Sequence, residues 1–223
     1  SDVCSSDLAC TSFRGMTQDR TRRLGAVWFA DIVGFTDLSA RDEDLALRVV
    51  RELQRLSRTQ CEARGGRVVK FSGDAVLTVF DSADGAIRAA VAVRDGFLQD
   101  PAVKQSGVSI RVGAHVGDVI DAPDGDVYGD AVNAASRIEA FASPGQVVAS
   151  AVAHQMLQQR ATIQAEDLGD HELKGLPEPM RLYAVSITDE SVRSIRDLLQ
   201  DELAPLQLLE REGGGGKIGR AHV

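Results

Sequence analysis

The chain has 223 residues, 43% of them hydrophobic and 26% charged, with a formal net charge of −8. That length supports one sizeable core without staples, and no run of about 18 apolar residues is present to cross a membrane. The acidic balance excludes a surface that coats nucleic acid, which needs a basic patch, but leaves room for one nucleotide whose charge metal ions carry.

Cys4, Cys10 and Cys61 show no CxxC spacing, so reduced thiols and a cytoplasmic location are expected. The two ends read as foreign. Residues 2–8 back-translate into a nucleotide stretch whose reverse complement encodes residues 218–223 in one frame. A sequencing adapter translated at both ends of an insert produces that reciprocity, and an ordinary terminus does not. Residues 1–15 and 217–223 are therefore expected to be non-native tails, with Met16 as the start; different codons in the source DNA would refute this.

In chain order, Leu24–Asp31 reads as a short buried strand stopped by Val33-Gly34. From Asp42 to Arg64, Leu45, Val49, Leu53, Leu56 and Ala63 recur at helical spacing, and Gly65-Gly66 ends the helix. Arg67–Phe71 and Ala75–Phe80 read as a hairpin turning at Ser72-Gly73-Asp74. Ser82–Gln99 is a second helix, with Ala86, Ala90, Val93 and Phe97 on one face. Val108–Ile120 is strand-like, Ala122–Gly125 is a loop, and Asp130–Ala140 is a short helix closed by Ser143-Pro144-Gly145. A strand at Gln146–Ala149, a helix at Ala151–Gln159 and strands at Thr162–Asp167 and Arg181–Ser186 follow. Asp189–Arg211 reads as one more helix ahead of the Gly213–Gly216 linker. The order strand, helix, hairpin, helix, strand predicts an α+β fold: a ferredoxin-like mixed sheet with flanking helices.

Three segments carry chemistry. In Phe29-Ala30-Asp31-Ile32-Val33-Gly34-Phe35-Thr36 an apolar strand ends in an aspartate and enters a glycine turn whose backbone N–H groups can cradle phosphate oxygens. Taken alone, Asp31 could equally cap the turn. In Lys70-Phe71-Ser72-Gly73-Asp74, the turn aspartate approaches Asp31 if the hairpin pairs beside the first strand. Adjacent carboxylates repel unless a cation lies between them, and oxygen ligands favour hard divalent ions; Gly-Asp is also an ordinary polar turn. In the segment Asp126–Arg137, Asn133 and Arg137 are four apart on one helix face and suit a ribose or a phosphate developing charge, or form a solvated polar stripe.

Those segments, in that order, resemble the class III adenylyl cyclases, from about Gly25 to Val185; Glu172-Leu173-Lys174-Gly175-Leu176 and Tyr183-Ala184-Val185 resemble the family's closing strands. The resemblance implies that residues 16–188 are a nucleotide cyclase catalytic domain, with residues 189–216 a terminal helix and linker. It implies that Asp31 and Asp74, with the Ile32 carbonyl, bind two Mg²⁺ or Mn²⁺ ions, and that Gly34, Phe35 and Thr36 lie at the phosphates. By the same likeness, Lys70 and Asp126 read the adenine edge, Asn133 orients the ribose, Arg137 stabilises the transition state and Lys174 approaches the outgoing phosphates. No general base is assigned.

The implied reaction is ATP to 3′,5′-cyclic AMP and pyrophosphate. Asp126 accepts from the adenine 6-amino group, where guanine presents a carbonyl, and Lys70 donates to adenine N1, where guanine has a donor. In the family the metal aspartates and the base-reading residues come from different subunits, so a homodimer with two shared sites is implied, with ATP as partner and neither nucleic acid nor inserted membrane. The alternatives are a guanylyl cyclase and an inactive cyclase-like dimerisation module. His115 reads as a packed histidine and Cys61 as a small apolar residue.

Overall fold

The central strand, β1 (Thr21–Val33), is apolar along most of its length because both its faces are covered. Ala26, Trp28, Ala30 and Ile32 point into the larger core, whereas Val27 joins a smaller cluster on the opposite face. The computed structural model describes residues 21–157 and 163–187. The expected helix at Asp189–Arg211 and both expected tails lie outside them.

The chain continues through α1 (Phe35–Arg41), α2 (Glu43–Glu62), β2 (Gly66–Ser72), β3 (Ala75–Phe80), α3 (Ala83–Gln99), α4 (Pro101–Ser106) and β4 (Ser109–Asp121). It closes with β5 (Val127–Tyr128), α5 (Asp130–Phe141), β6 (Val147–Ser150), α6 (Ala151–Gln155), β7 (Ile163–His171) and β8 (Met180–Ile187). Among the described residues the sheet has 8 strands in the order β2-β3-β1-β4-β6-β8-β7, with β5 paired to β4. Only β4 and β6 pair in parallel among the described strands. The first four places, β2-β3-β1-β4, are the expected ferredoxin-like core, extended on the β4 side.

The expected helix from Asp42 is preceded by a separate short one. Asp42 adopts an extended conformation (φ −153, ψ 91), ends α1 and caps α2 by accepting from the Leu45 backbone N–H at 2.9 Å. Helix α4 was not anticipated, although its signal is local: Asp100 accepts from the Ala102 and Val103 amides and Pro101 stands in the first turn. Helix α6 ends at Gln155, short of the expected Gln159.

Helices α2 and α3 cover one face with Leu45, Val49, Leu53, Ile87, Val93 and Phe97, closing over Trp28 and Phe80. Each fully buried side chain of that size contributes about 1.5–3 kcal/mol. The other face carries α5, seated directly on β4, with Leu173 of the β7–β8 connection packed beside Ile138 and Leu182. A Cβ placed on Gly113 would lie 2.0 Å from the Glu139 backbone nitrogen and 2.6 Å from the Ala135 carbonyl oxygen, so only glycine allows this approach.

Candidate active site

Asp31 stands near the end of β1, in register with Ala75 on β3 and with Arg111 on β4. Asp74 lies in the β2–β3 turn, where Gly73 takes the left-handed conformation (φ 61) that the turn demands. Strand pairing thus brings the two carboxylates together, as the hairpin pattern predicted. Burial pushes the Asp74 carboxyl above its ordinary range, and the neighbouring Asp31 charge pushes the same way.

Two unanticipated residues complete this group. The Arg111 guanidinium donates to Asp31 Oδ2 at 3.0 Å, and its Nε sits 2.5 Å from Glu139 Oε1 on α5. That second contact is an ion pair without hydrogen-bond geometry, since both atoms are buried with no hydrogen-bond partner. Burial raises the Glu139 carboxyl, Arg111 opposes the rise, and Asp31 and Asp74 add to it. Burial disfavours the charge on Arg111, but Glu139 and Asp31 more than offset that. The available signal was a charged residue between the apolar positions Ile110 and Val112; its partner six residues beyond Asn133 had none.

Among the described residues no group of three or more His, Cys, Asp or Glu side chains is arranged as a metal site. The chemistry of Asp31 and Asp74 nevertheless fits Mg²⁺ or Mn²⁺. Two adjacent carboxylates repel one another and are relieved by a cation, and Mg²⁺ characteristically takes one or two carboxylates and completes its shell with water and substrate phosphates. Ile32 is 2% exposed with its side chain in the α2–α3 core, so that side chain cannot itself meet a ligand.

Gly34 begins α1 in the left-handed conformation (φ 85), and no side chain caps that end. Thr36 is exposed and Phe35 half-buried beside it. On the β2 side, Lys70 Nζ donates to both oxygens of Asp126, at 2.7 and 3.0 Å. Lys70 holds the Asp126 carboxyl below its ordinary range. Asn133 and Arg137 are exposed on α5, while Ala131, Ala134, Ala135 and Ile138 face inward. They belong to neither cluster. Lys174 is exposed in the β7–β8 connection, beside a cavity of about 490 Å³ lined by Glu172, Leu176 and Pro177. A second cavity of about 390 Å³ lies between Arg94 and the β6, β7 and β8 strands, away from Asp31.

His115 shares a 2.8 Å hydrogen bond with Ser150 Oγ, and burial lowers its pKa, as suits a packed histidine. Cys61 is 0% exposed, and burial pushes its thiol up to about 12. No helix among the described residues is long and apolar enough to cross a membrane.

Residues 20–187 match the family described as the adenylate and guanylate cyclase catalytic domain. The chain belongs to that family. A curated relative named adenylate cyclase, from Streptomyces coelicolor, is 34% identical over 201 residues, 88% of this chain and 51% of the relative. The chain spans about half or less of the length of the curated relatives it matches. Among solved structures, an adenylate/guanylate cyclase/hydrolase from Silicibacter pomeroyi has 31% identity and a TM-score of 0.63, covering 76% of this chain and 99% of that one. The adenylyl cyclase CyaB from P. aeruginosa, at 22% identity, shares the fold with a TM-score of 0.67 over 76% of this chain and 97% of that one. The cyclase domain here therefore has the class III architecture, an α+β mixed sheet with flanking helices.

Proposed function

We propose that this cyclase domain converts ATP to 3′,5′-cyclic AMP and pyrophosphate at sites shared between two copies of the chain. The observation that carries the choice of base is the Lys70–Asp126 pair. It couples one donor and one acceptor at a sheet edge, the pattern that adenine's N1 and 6-amino group complement and that guanine's N1 and 6-carbonyl oppose.

In the reaction the ribose 3′-hydroxyl gives up its proton to solvent, its oxygen forms a bond to the α-phosphorus, the bond from that phosphorus to the bridging oxygen breaks, and pyrophosphate departs. Asp31 and Asp74 would hold two Mg²⁺ or Mn²⁺ ions, which supply Lewis-acid activation of the hydroxyl and neutralise triphosphate charge. Gly34, Phe35 and Thr36 present the start of α1 to the phosphates. Arg137 stabilises the charge that develops on phosphorus, an effect of about 2.7–4 kcal/mol per preorganised donor in comparable sites. Asn133 orients the ribose, and Lys174 approaches the departing phosphates. The exposure of Asn133 and Arg137 on α5 supports a site completed by a partner copy. A monomer is then inactive.

The test is incubation of the purified chain with ATP or GTP and Mg²⁺ or Mn²⁺, quantifying the cyclic nucleotide, with Asp74→Ala as blank. Cyclic AMP from ATP, abolished in the blank, is expected. Cyclic GMP as main product would overturn the base assignment while leaving the carboxylate site standing. No product from a verified dimer would favour the inactive dimerisation module.

A further inference from the structure

Regular strand alternation places residues 67 and 70 on opposite faces of β2. The observed pairing does otherwise. Arg67 pairs with Val79 and Val68 with Thr78, but Lys70 pairs with Leu77, so Val69 is an extra residue and the strand bulges. Leu77 and Val79 both belong to the cluster on the α5 face. The bulge therefore turns Arg67 and Lys70 to the same side, where both meet the connection between β4 and β5.

That connection is short and locally closed. The Gly125 amide donates to the Ala122 carbonyl at 3.0 Å, the Ala122 amide to the Asp126 carbonyl at 3.0 Å, and the Asp126 amide to Asp124 Oδ1 at 3.1 Å. Its link to β2 is made by side chains, because β3 and β1 lie between β2 and β4 in the sheet. Arg67 donates to the Gly125 carbonyl at 2.8 Å and to Asp121 Oδ1 at 3.1 Å. Arg23 takes the other oxygen of Asp121 at 2.7 Å and reaches Asp81 at 2.8 Å. Arg67 thus grips the turn at both ends, one bond falling on the residue directly before Asp126.

We infer that Arg67 is a positioning residue for base selection: by fastening Gly125 and Asp121 to β2, it sets where the Asp126 carboxylate stands relative to Lys70. This rests on the proposed reading of Lys70 and Asp126. Exposed ion pairs contribute little to stability, and Arg67 is 43% exposed, so its effect falls on orientation more than on folding. Planarity matters, because the guanidinium serves two acceptors at once while a lysine ammonium does not offer that fork.

The experiment compares kcat/KM for ATP and for GTP in the wild-type chain and in Arg67→Ala, Arg67→Lys, Asp126→Ala and the Arg67→Ala/Asp126→Ala double variant. Arg67→Ala is expected to lower the ATP-to-GTP ratio about tenfold, the low end of what one charge-assisted hydrogen bond is worth, and Arg67→Lys is expected to recover only part of it. Melting is expected to move by no more than about 2–4 °C. In the Asp126→Ala background, Arg67→Ala should change the ratio no further, because both act through the same contact. A selective wild type with an equally selective Arg67→Ala variant overturns this inference alone. An equal loss of ratio in both backgrounds also overturns it, since Arg67 would then act elsewhere. A wild type that makes product from both nucleotides without preference overturns this inference and the base assignment together.

Discussion

Substituting Gly113 by alanine tests whether the seat of α5 on β4 controls the reaction. The added Cβ meets backbone on three sides: Glu139 N at 2.0 Å, Glu139 Cα at 2.5 Å and the Ala135 carbonyl oxygen at 2.6 Å. No side chain can swing away, so the helix itself must retreat. Moving the tightest contact from 2.0 Å to the 3.4 Å where ordinary van der Waals contact begins takes about 1.4 Å. Overpacking of this kind costs about 1–3 kcal/mol. At about 2–4 °C per kcal/mol for a domain of this size, melting should fall by about 2–12 °C. The helix carries Asn133 and Arg137, the proposed ribose- and phosphate-facing residues, and a shift of about 1 Å in a positioned catalytic group costs on the order of a hundredfold in rate. Thermal denaturation and cyclic nucleotide formation from ATP, measured on the same preparations, read both effects. Gly117→Ala is the comparison: its Cβ would meet His115 Nε2 at 3.2 Å and Ala131 Cβ at 3.4 Å, and a small adjustment relieves both. Gly117→Ala should therefore lose less on both counts. A Gly113→Ala protein that melts and turns over like wild type would refute the claim that α5 is held at this distance by the glycine.

Mixing inactive Asp74→Ala and Arg137→Ala chains in equal amounts should restore about a quarter of the wild-type rate, since half the dimers are mixed and each has one intact site of two; no recovery would place both residues in a site built from one chain. Arg23 first, then Arg67, holds the Asp121 carboxyl below its ordinary value of 3.8. The sign follows from the depressed folded value: Asp121 contributes stability fully above 3.8 and loses it as pH falls through that lower value. The stability difference between wild type and Asp121→Asn in urea should thus be constant near neutrality and shrink in strong acid; a difference that grows on acidification would contradict the ion-pair network. Cys61 is 0% exposed, with its thiol raised to about 12, so iodoacetamide should leave it unmodified in the native protein and label it in urea, as read by peptide mass mapping. Labelling under native conditions would mean that the α2 face opens readily.

Much of the site was legible before any tertiary contact was known. The strand carrying Asp31, the Ser72-Gly73-Asp74 turn and the shared helix of Asn133 and Arg137 are local patterns of alternation, turn chemistry and helical spacing; the structure forms each, with the strand running from Thr21 to Val33 and not ending at Asp31. The meeting of Asp31 with Asp74 was conditional on the hairpin pairing beside β1, and the register of Asp31 with Ala75 meets that condition. The break at Asp42 and helix α4 were also written locally, in a capping aspartate and an Asp-Pro step, but a continuous apolar period obscured the first.

What remained was decided by pairing between distant segments. Alternation along β2 assigns Lys70 to the face of Val68, and only the bulge at Val69 turns it towards Asp126. Arg111 became part of the carboxylate cluster because β4 lies against β1 in one register, and Glu139 because Gly113 lets α5 descend onto β4. Sequence alone determined which residue types stand at which turns and faces, since backbone sterics and side-chain period act over a few positions. Only the tertiary structure decided which charges face one another, since register, bulges and helix seating are set by the packing of the whole sheet.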